Sequence, residues 1–529
     1  MFRSRIRVVT SSFVLVVGLV VLGRGQGLQS GRLALPLNLP AVDTGVSPDQ
    51  APAPRTLTTR SLRSVAGDTL YADRSGSSGV TYRPGRVIVK FRDTASASTR
   101  VSAMSTVSRT ATMTARPSYA DFDVIELDPS ENPEAAAREF AARADVEYAQ
   151  AAYREHAYFR PNDPNYNLQW NMPAIDMERA WDIQPGANPS VIVAVVDTGI
   201  AYLSTIIRLN ARAFRLLFSN GTSLNYPALG LIDVPFGAAP DLTGPDRFVK
   251  PHDFIWDDET PVDFVGHGTH VSGTIGQLTN NNIGTAGIAY NVRLMPVKVI
   301  DDLWDFIFGA LNEATDDIVA RGIRYAADNG AKVINLSIGR AGPPAAPVVE
   351  DAIRYAVSKG AFVAIAAGND FEDGNPLQAV AEIASRVAGA VSVGATDILH
   401  NRAFYSSTGS WVELSAPGGS SRGFGATGTV YQQTYNFNFT DTFDPSPATY
   451  RAPRFDIFAI QPLQGTSMAT PHVSGLAALL IQQGITDPAA IEAAMEKFAI
   501  DRGTPGRDSS FGFGEISARN TLRGLGLSK

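Results

Sequence analysis

Apolar positions along the first 160 residues are sparse, then alternate, then recur with helical spacing. RVIVKFR (86–92) and FDVIEL (122–127) alternate apolar with polar residues, the period of half-buried strands. NPEAAAREFAARAD (132–145) has helical spacing, with Asn132 as cap, Pro133 at the first position and Glu134 in the first turn. VEYAQAAY (146–153) reads as a closing strand. With a helix over 95–107 and a short strand over 111–117, the order is βαββαβ, which predicts a small ferredoxin-like α+β unit.

PNDPNY (161–166) interrupts the pattern, and a different one follows. VIVAVV (191–196), KVINLSI (332–338), AFVAIAAG (361–368) and AVSVGA (390–395) are apolar without alternation. Between them DDIVARGIRYAADNG (316–330) and VVEDAIRYAVSKG (348–360) are amphipathic helices. Strands apolar on both faces, alternating with helices, predict an α/β domain: a parallel β-sheet flanked by helices on both faces. In such sheets functional residues gather at the carboxyl ends of the strands.

Composition narrows the chemistry. The 529 residues exceed one simple domain. The net charge of −7 gives no electrostatic footprint for nucleic acid, so none is expected as a partner. There is no cysteine, which excludes disulfides, thiol nucleophiles and thiolate metal sites. Arg3, Arg5 and Arg7 precede VVTSSFVLVVGLVVLG, the layout of a secretory signal over 1–25. The apolar run falls short of the ~20 residues a span needs, so export is expected, with membrane contact only through this segment. Residues 26–79, rich in Ser, Gly, Pro, Leu and Arg without periodicity, read as a disordered linker.

Three stretches stand where the sheet should carry chemistry. Asp197 follows a buried strand in VIVAVVDTGI. His267 opens a small-residue helix in DFVGHGTHVSGTIG, and Ser467 opens an apolar helix in GTSMATPHVSGLAALL. An Asp after a strand is ordinarily a turn former, and a Ser or Thr at a helix mouth a cap. Together they match the needs of nucleophilic catalysis. A Ser hydroxyl needs a base, His titrates near neutrality, and a buried carboxylate fixes the imidazole's tautomer. His270 follows His267 at a spacing that can hold zinc, but the glutamate of an H-E-x-x-H site is absent.

DTGI, GHGTHVSGTI and GTSMATPHVSGLAALL, in the order Asp…His…Ser, resemble the subtilisin-like serine proteases. The resemblance runs from about Pro161 to Leu522. It implies Asp197 as orienting acid, His267 as base and Ser467 as nucleophile of a secreted serine endopeptidase acting on protein or peptide substrates. It also implies Asn369 as an oxyanion donor beside the Ser467 N–H. Ser337, Ile338 and Gly339 would form one wall of the primary pocket, and Ala366, Ala367 and Gly368 the other. Asp370, Glu372 and Asp373 would either favour a basic substrate side chain or form a solvated loop.

The same resemblance makes residues 80–155 a propeptide that acts as intramolecular inhibitor, cut by the enzyme itself between about Glu155 and Pro161. The catalytic domain is expected over 160–525. TNNNIGTAGIA (279–289) resembles the family's calcium loop, implying structural Ca²⁺ held by the Asn281 side chain and the Ile283 and Thr285 carbonyls. Asp163 and Asp241 match acidic ligands of that site. Three stretches depart from the family pattern: 201–240, the aromatic-rich 302–314, and 420–463. Large apolar residues in the first two suggest an exposed interface, and the third is expected to narrow access to the cleft. An esterase of another fold would need a His after Ser467, where only His472 follows, in the same helix. A silent binding protein would be expected to lack one of the three residues.

Overall fold

The computed structural model describes residues 82–524, apart from residues 115, 117, 154–158, 219–220, 245, 344 and 443–446. The N-terminal basic and apolar run, the segment 26–79 and most of the expected cut site lie outside the described residues.

The front unit comprises β1 (Tyr82–Phe91), α1 (Ala97–Val107), β2 (Thr112–Thr114), β3 (Asp123–Glu126), α2 (Pro133–Ala141) and β4 (Val146–Tyr153). Its sheet has the order β2-β3-β1-β4, every pair antiparallel, the ferredoxin-like arrangement. Alternate residues Val87, Val89 and Phe91 of β1 meet Ile125 and Phe140 in a separate small core. Asn132 caps α2 by accepting from the Glu134 and Ala135 amides. The helix stops at Ala141, short of the predicted end at 145. There Arg143 N turns back to Phe140 O, and Asp145 O is needed to accept from Arg92 N at the sheet edge.

Beyond 159 come two helical turns, α3 (Asn171–Ala174) and α4 (Met177–Trp181), then β5 (Ile192–Asp197). Two hairpins follow: β6 (Thr205–Ala211) with β9 (Gly230–Phe236), and β7 (Phe214–Leu217) with β8 (Ser223–Tyr226). The chain continues through β10 (His252–Asp253), α5 (His267–Gly276), β11 (Arg293–Lys298), α6 (Leu303–Phe308), α7 (Asp316–Asp328) and β12 (Val333–Leu336). It goes on through α8 (Pro347–Ser358), β13 (Phe362–Ala366), β14 (Ala390–Thr396) and β15 (Leu414–Pro417). The last part is β16 (Val430–Tyr435), α9 (Phe437–Thr440), β17 (Phe458–Leu463), α10 (Thr466–Gln482), α11 (Pro488–Phe498) and α12 (Ala518–Gly524).

Seven strands form one parallel sheet in the order β10-β11-β5-β12-β13-β14-β15. Val193 and Val195 of β5 point into the core shared with α5 and α10. Ala194 and Val196 point into the core under α7 and α8. Each strand thus feeds two cores, the reason for its unbroken apolar run. From the central β5 the sheet extends to β11 on one side and to β12 on the other. That switch opens a crevice at the carboxyl ends of β5 and β12.

The three departures from the family pattern are packed together. Trp304 and Phe308 of α6 are buried, against the expectation of an exposed patch, although Phe306 remains 58% exposed. Trp304 stacks on Phe308 and Tyr450, Tyr450 meets the stacked Phe214 and Tyr226, and Phe455 stacks on Phe236. Aromatic rings from three distant segments cover one another, while Ile206, Leu217 and Leu231 of the first stretch stay exposed, as expected of it. The β16–β17 hairpin packs on α5 and runs directly into α10: Thr434 Oγ1 donates to Gly266 O at 2.6 Å. Among the described residues no helix is long and apolar enough to cross a membrane.

Candidate active site

Asp197 is the last residue of β5 and is fully buried. Its Oδ1 lies 2.7 Å from Nδ1 of His267, the first residue of α5. The same oxygen accepts from Thr198 N at 2.7 Å. The closeness of the two elements requires a glycine after the histidine. A Cβ on Gly268 would collide with Gly199 O and lie 3.1 Å from Asp197 Oδ1. Burial alone would push the His267 pKa down. The charge and hydrogen bond of Asp197, with the Asp263 charge behind them, outweigh it, and the imidazole ends above its ordinary 6.5.

Ser467 is the second residue of α10, where unpaired N–H groups and the helix dipole favour negative charge. Its hydroxyl donates to Ser337 O at 2.9 Å, while Ser337 Oγ donates to Ser467 O at 2.8 Å. The hydroxyl therefore rests on the strand segment after β12. Asn369 follows β13. Its Oδ1 accepts from Thr466 N at 2.9 Å and Thr466 Oγ1 at 3.0 Å, which turns its Nδ2 the other way. A Cβ added to Gly465 would lie 3.6 Å from both Asn369 Nδ2 and Ser467 N. Two N–H donors thus flank one small space, kept open because residue 465 has no side chain.

Ser337, Ile338 and Gly339 and the facing Ala366, Ala367 and Gly368 leave the ends of β12 and β13 side by side. A Cβ on Gly339 would meet Ala366 O at 4.0 Å. The Ser337 hydroxyl accepts from Asn335 Nδ2 at 2.9 Å and donates to Ser467 O at 2.8 Å. Among the acids after Asn369, Asp370 is 9% exposed and accepts from Gln378 Nε2 at 2.9 Å. Glu372 forms a bidentate pair with Arg422 at 2.6 and 2.7 Å. Two of these three carboxylates are therefore already engaged within the protein.

The residues of the expected calcium loop also come together. Asp163 accepts from the Asn280 and Asn281 amides, and the fully buried Asp241 accepts from Asn281 Nδ2 at 2.6 Å and Gln277 Nε2 at 2.9 Å. Burial lifts the Asp241 carboxyl to about 6; amide hydrogen bonds from Asn281 and Gln277 pull against it, and the Asp163 charge adds to the rise. Two carboxylates beside the Asn281 amide and the loop carbonyls form a set of hard oxygen donors that fits such a cation. Ile283 N is bonded to Asn281 Oδ1, and the Thr285 hydroxyl donates to Gln432 Oε1, which leaves the backbone carbonyls of Ile283 and Thr285 as their donors toward an ion. Among the described residues no three His, Asp or Glu side chains surround one point, so such a site depends on amide and carbonyl oxygens.

Several residues of this neighbourhood are not evident from sequence. Lys298 ends β11 in register with Asp197. Its buried ammonium bonds both Asp305 oxygens at 2.8 and 2.9 Å, which ties α6 to the sheet beside the acid. Thr466, Asp263 and Gln432 have similar linking roles. Thr198, Asn369 and Thr285, the partners of Asp263, Thr466 and Gln432, lie 65, 97 and 147 residues away along the chain.

The carboxylate on an imidazole at the end of β5, and the serine that opens α10, follow one another in the chain order Asp…His…Ser. The chain belongs to the subtilase family, whose domain model matches residues 188–514, and is therefore a serine protease, a hydrolase of peptide bonds. Residues 72–151 match the fervidolysin N-terminal prodomain, so the protease carries a propeptide. The chain is 31% identical over 445 residues to the thermophilic serine proteinase of Bacillus sp. (strain AK1), covering 83% of this chain and 88% of that protein. It is 33% identical over 342 residues to thermitase of Thermoactinomyces vulgaris, covering 64% of this chain and 92% of that one. Among solved structures, a protease from Pseudoalteromonas arctica PAMC 21717 superposes with a TM-score of 0.51 at 26% identity, covering 69% of this chain and 99% of that one.

Proposed function

We propose that this chain is a secreted endopeptidase made as a self-processing zymogen, with Asp197, His267 and Ser467 as its triad. Ser467 Oγ attacks the peptide carbonyl while His267 Nε2 takes its proton. Asp197 holds His267 Nδ1–H and steadies the imidazolium. Asn369 Nδ2 and the Ser467 N–H donate to the oxyanion. His267 returns the proton to the leaving amine, and water then releases the acyl group. The observation that carries this reading is the buried 2.7 Å contact between Asp197 Oδ1 and His267 Nδ1. The two donors converging beside Gly465 support it.

Substrate would lie extended between 337–339 and 366–368, pairing as an added strand. Asp370 and Glu372 have partners within the protein, which favours an uncharged side chain in the primary pocket. In this reading residues 1–25 direct export, 26–79 link, 80–155 fold as the inhibitory propeptide, and 160–525 form the catalytic domain. The cut falls between about Glu155 and Pro161. Asp163, Asp241, the Asn281 side chain and the carbonyls of Ile283 and Thr285 would hold Ca²⁺. Bound there, the ion neutralises the paired acids and clamps the segment after the cut to the core.

The test is casein hydrolysis by the purified protein, with and without a serine-reactive phosphonate. Hydrolysis abolished by the phosphonate, and absent in Ser467→Ala, is the expected result. Ser467→Ala should also remain uncut; a variant still processed between 155 and 161 would show that another protease makes the cut.

A further inference from the structure

Asp263 is a second carboxylate behind His267, fully buried and four residues ahead of it. Its Oδ1 accepts from Thr198 Oγ1 at 3.0 Å, Val265 N at 2.9 Å and Gly266 N at 2.7 Å. Its Oδ2 accepts from Thr269 N at 3.0 Å and Thr269 Oγ1 at 2.6 Å. These donors come from both halves of the site. Thr198 directly follows Asp197, while Val265, Gly266 and Thr269 bracket His267. The link is doubled: Thr198 Oγ1 accepts from Gly268 N at 3.0 Å, and Thr269 Oγ1 accepts from Ala201 N at 2.9 Å.

A helix cap needs only one or two such bonds, and an exposed Ser or Asn supplies them. A fully buried carboxylate is costly to desolvate and persists where its donors are all in place. Five converging donors from two chain segments are more than capping requires. We propose that Asp263 is a positioning residue for the hydrolytic reaction, locking the turn at 197–201 to the turn at 263–269 so that the Asp197 carboxylate and the His267 ring meet in register. This rests on the reading of Asp197, His267 and Ser467 as the triad.

The Asp263 charge acts on the same ring. Among the groups around His267, burial lowers its pKa, and Asp197 and Asp263 raise it. The nearby cation, Lys298 on β11, is committed to Asp305; it also touches Val262 O at 3.3 Å and the Phe264 ring at 4.3 Å. On the β16 side, Tyr435 OH donates to the Asp263 carbonyl at 3.0 Å and brings no charge. On α5 itself, burial drives His270 down to about 3, so it stays neutral. Burial lifts the Asp263 carboxyl's own pKa, while the hydrogen bonds from Thr269, Gly266 and Val265 pull against that rise and favour its charged form; ionised, Asp263 is the second source of negative charge for the His267 imidazolium. Since the base acts when unprotonated, loss of that charge moves the acid limb of kcat/KM to lower pH.

The experiment measures kcat and KM against pH on a chromogenic peptide, per active site counted with the phosphonate. For Asp263→Asn a kcat loss of about tenfold or more is expected, with KM little changed and the acid limb displaced to lower pH. Asp263→Glu keeps the charge, so its limb should stay in place while kcat falls. An Asp263→Asn enzyme with an unmoved limb or an unchanged kcat overturns the proposal. Should that variant fail to fold, Thr198→Val decides: it removes one link and leaves the charge, so kcat should fall with the limb unmoved. Unaltered turnover in Thr198→Val would then sink the idea. An unsubstituted protein that neither cleaves casein nor takes up the phosphonate refutes the triad reading instead, so the two failures are distinguishable.

Discussion

The two ends of the Asn369 amide do different work. Its Oδ1 is held by Thr466 through two bonds, which in the proposed reading leaves Nδ2 as the donor to the oxyanion. Asn369→Ala removes the donor and keeps the substrate strands. In subtilisin, where such a donor was removed, the cost is about 10²–10³ in kcat, and a similar loss with little change in KM is expected here. A KM effect of that size with kcat intact would assign Asn369 to ground-state binding instead. At this scale Asp197, His267, Ser467 and Asn369 stand out as candidates because each lies in a Gly- or Thr-rich turn after a strand or at a helix mouth. Asp263 and Thr466 do not. Their partners Thr198 and Asn369 lie 65 and 97 residues away, and no local pattern announces a bond across such a distance.

Among the elements, continuous apolar strands announced themselves most clearly, since burial on both faces leaves no polar position to blur the run. The hairpins β6–β9 and β7–β8 did not, because their mixed Leu, Arg and Asn content fits a loop as well as a half-covered strand. α6 was read as an exposed apolar stretch; its Trp304 is buried by rings from segments far along the chain. A further consequence arises where α11 meets the start of β15. Burial, with the Glu492 charge, lifts the nearly buried Glu413 carboxyl to about 8, and burial lifts Glu496 to about 7. A carboxyl whose pKa is raised on folding holds its proton better in the folded state. Its contribution is full at low pH and is lost as pH climbs from the unfolded value near 4.5 to about 8. The melting temperature of the phosphonate-inhibited protein should therefore fall across that window. Glu413→Gln should flatten the fall and melt higher than the unsubstituted protein above pH 8. An equally steep decline in the variant would remove Glu413 as its source.

For the whole molecule, a chain without cysteine has no disulfide to hold a long, loop-rich domain together and relies on non-covalent ties. Asp163, just past the expected cut, is bonded to the amides of the 280–281 loop, and Asn281 of that loop to Asp241, so an ion there would bind three distant segments at once. Chelation should lower the melting temperature and speed inactivation, both restored by added calcium. Asp241→Asn should make the protein insensitive to chelator; identical melting curves with and without chelator would end the calcium reading. The chain's own pattern dictated the α/β sheet, the ferredoxin-like front unit and the residue types of the site, because periodicity and turn chemistry are local properties. The packing of three aromatic insertions into one wall and the locking of His267 to Asp197 through Asp263 were decided only by the folded molecule. So was the resting of the Ser467 hydroxyl on Ser337. Each depends on groups far apart in sequence, whose meeting is set by the competition of whole surfaces for burial.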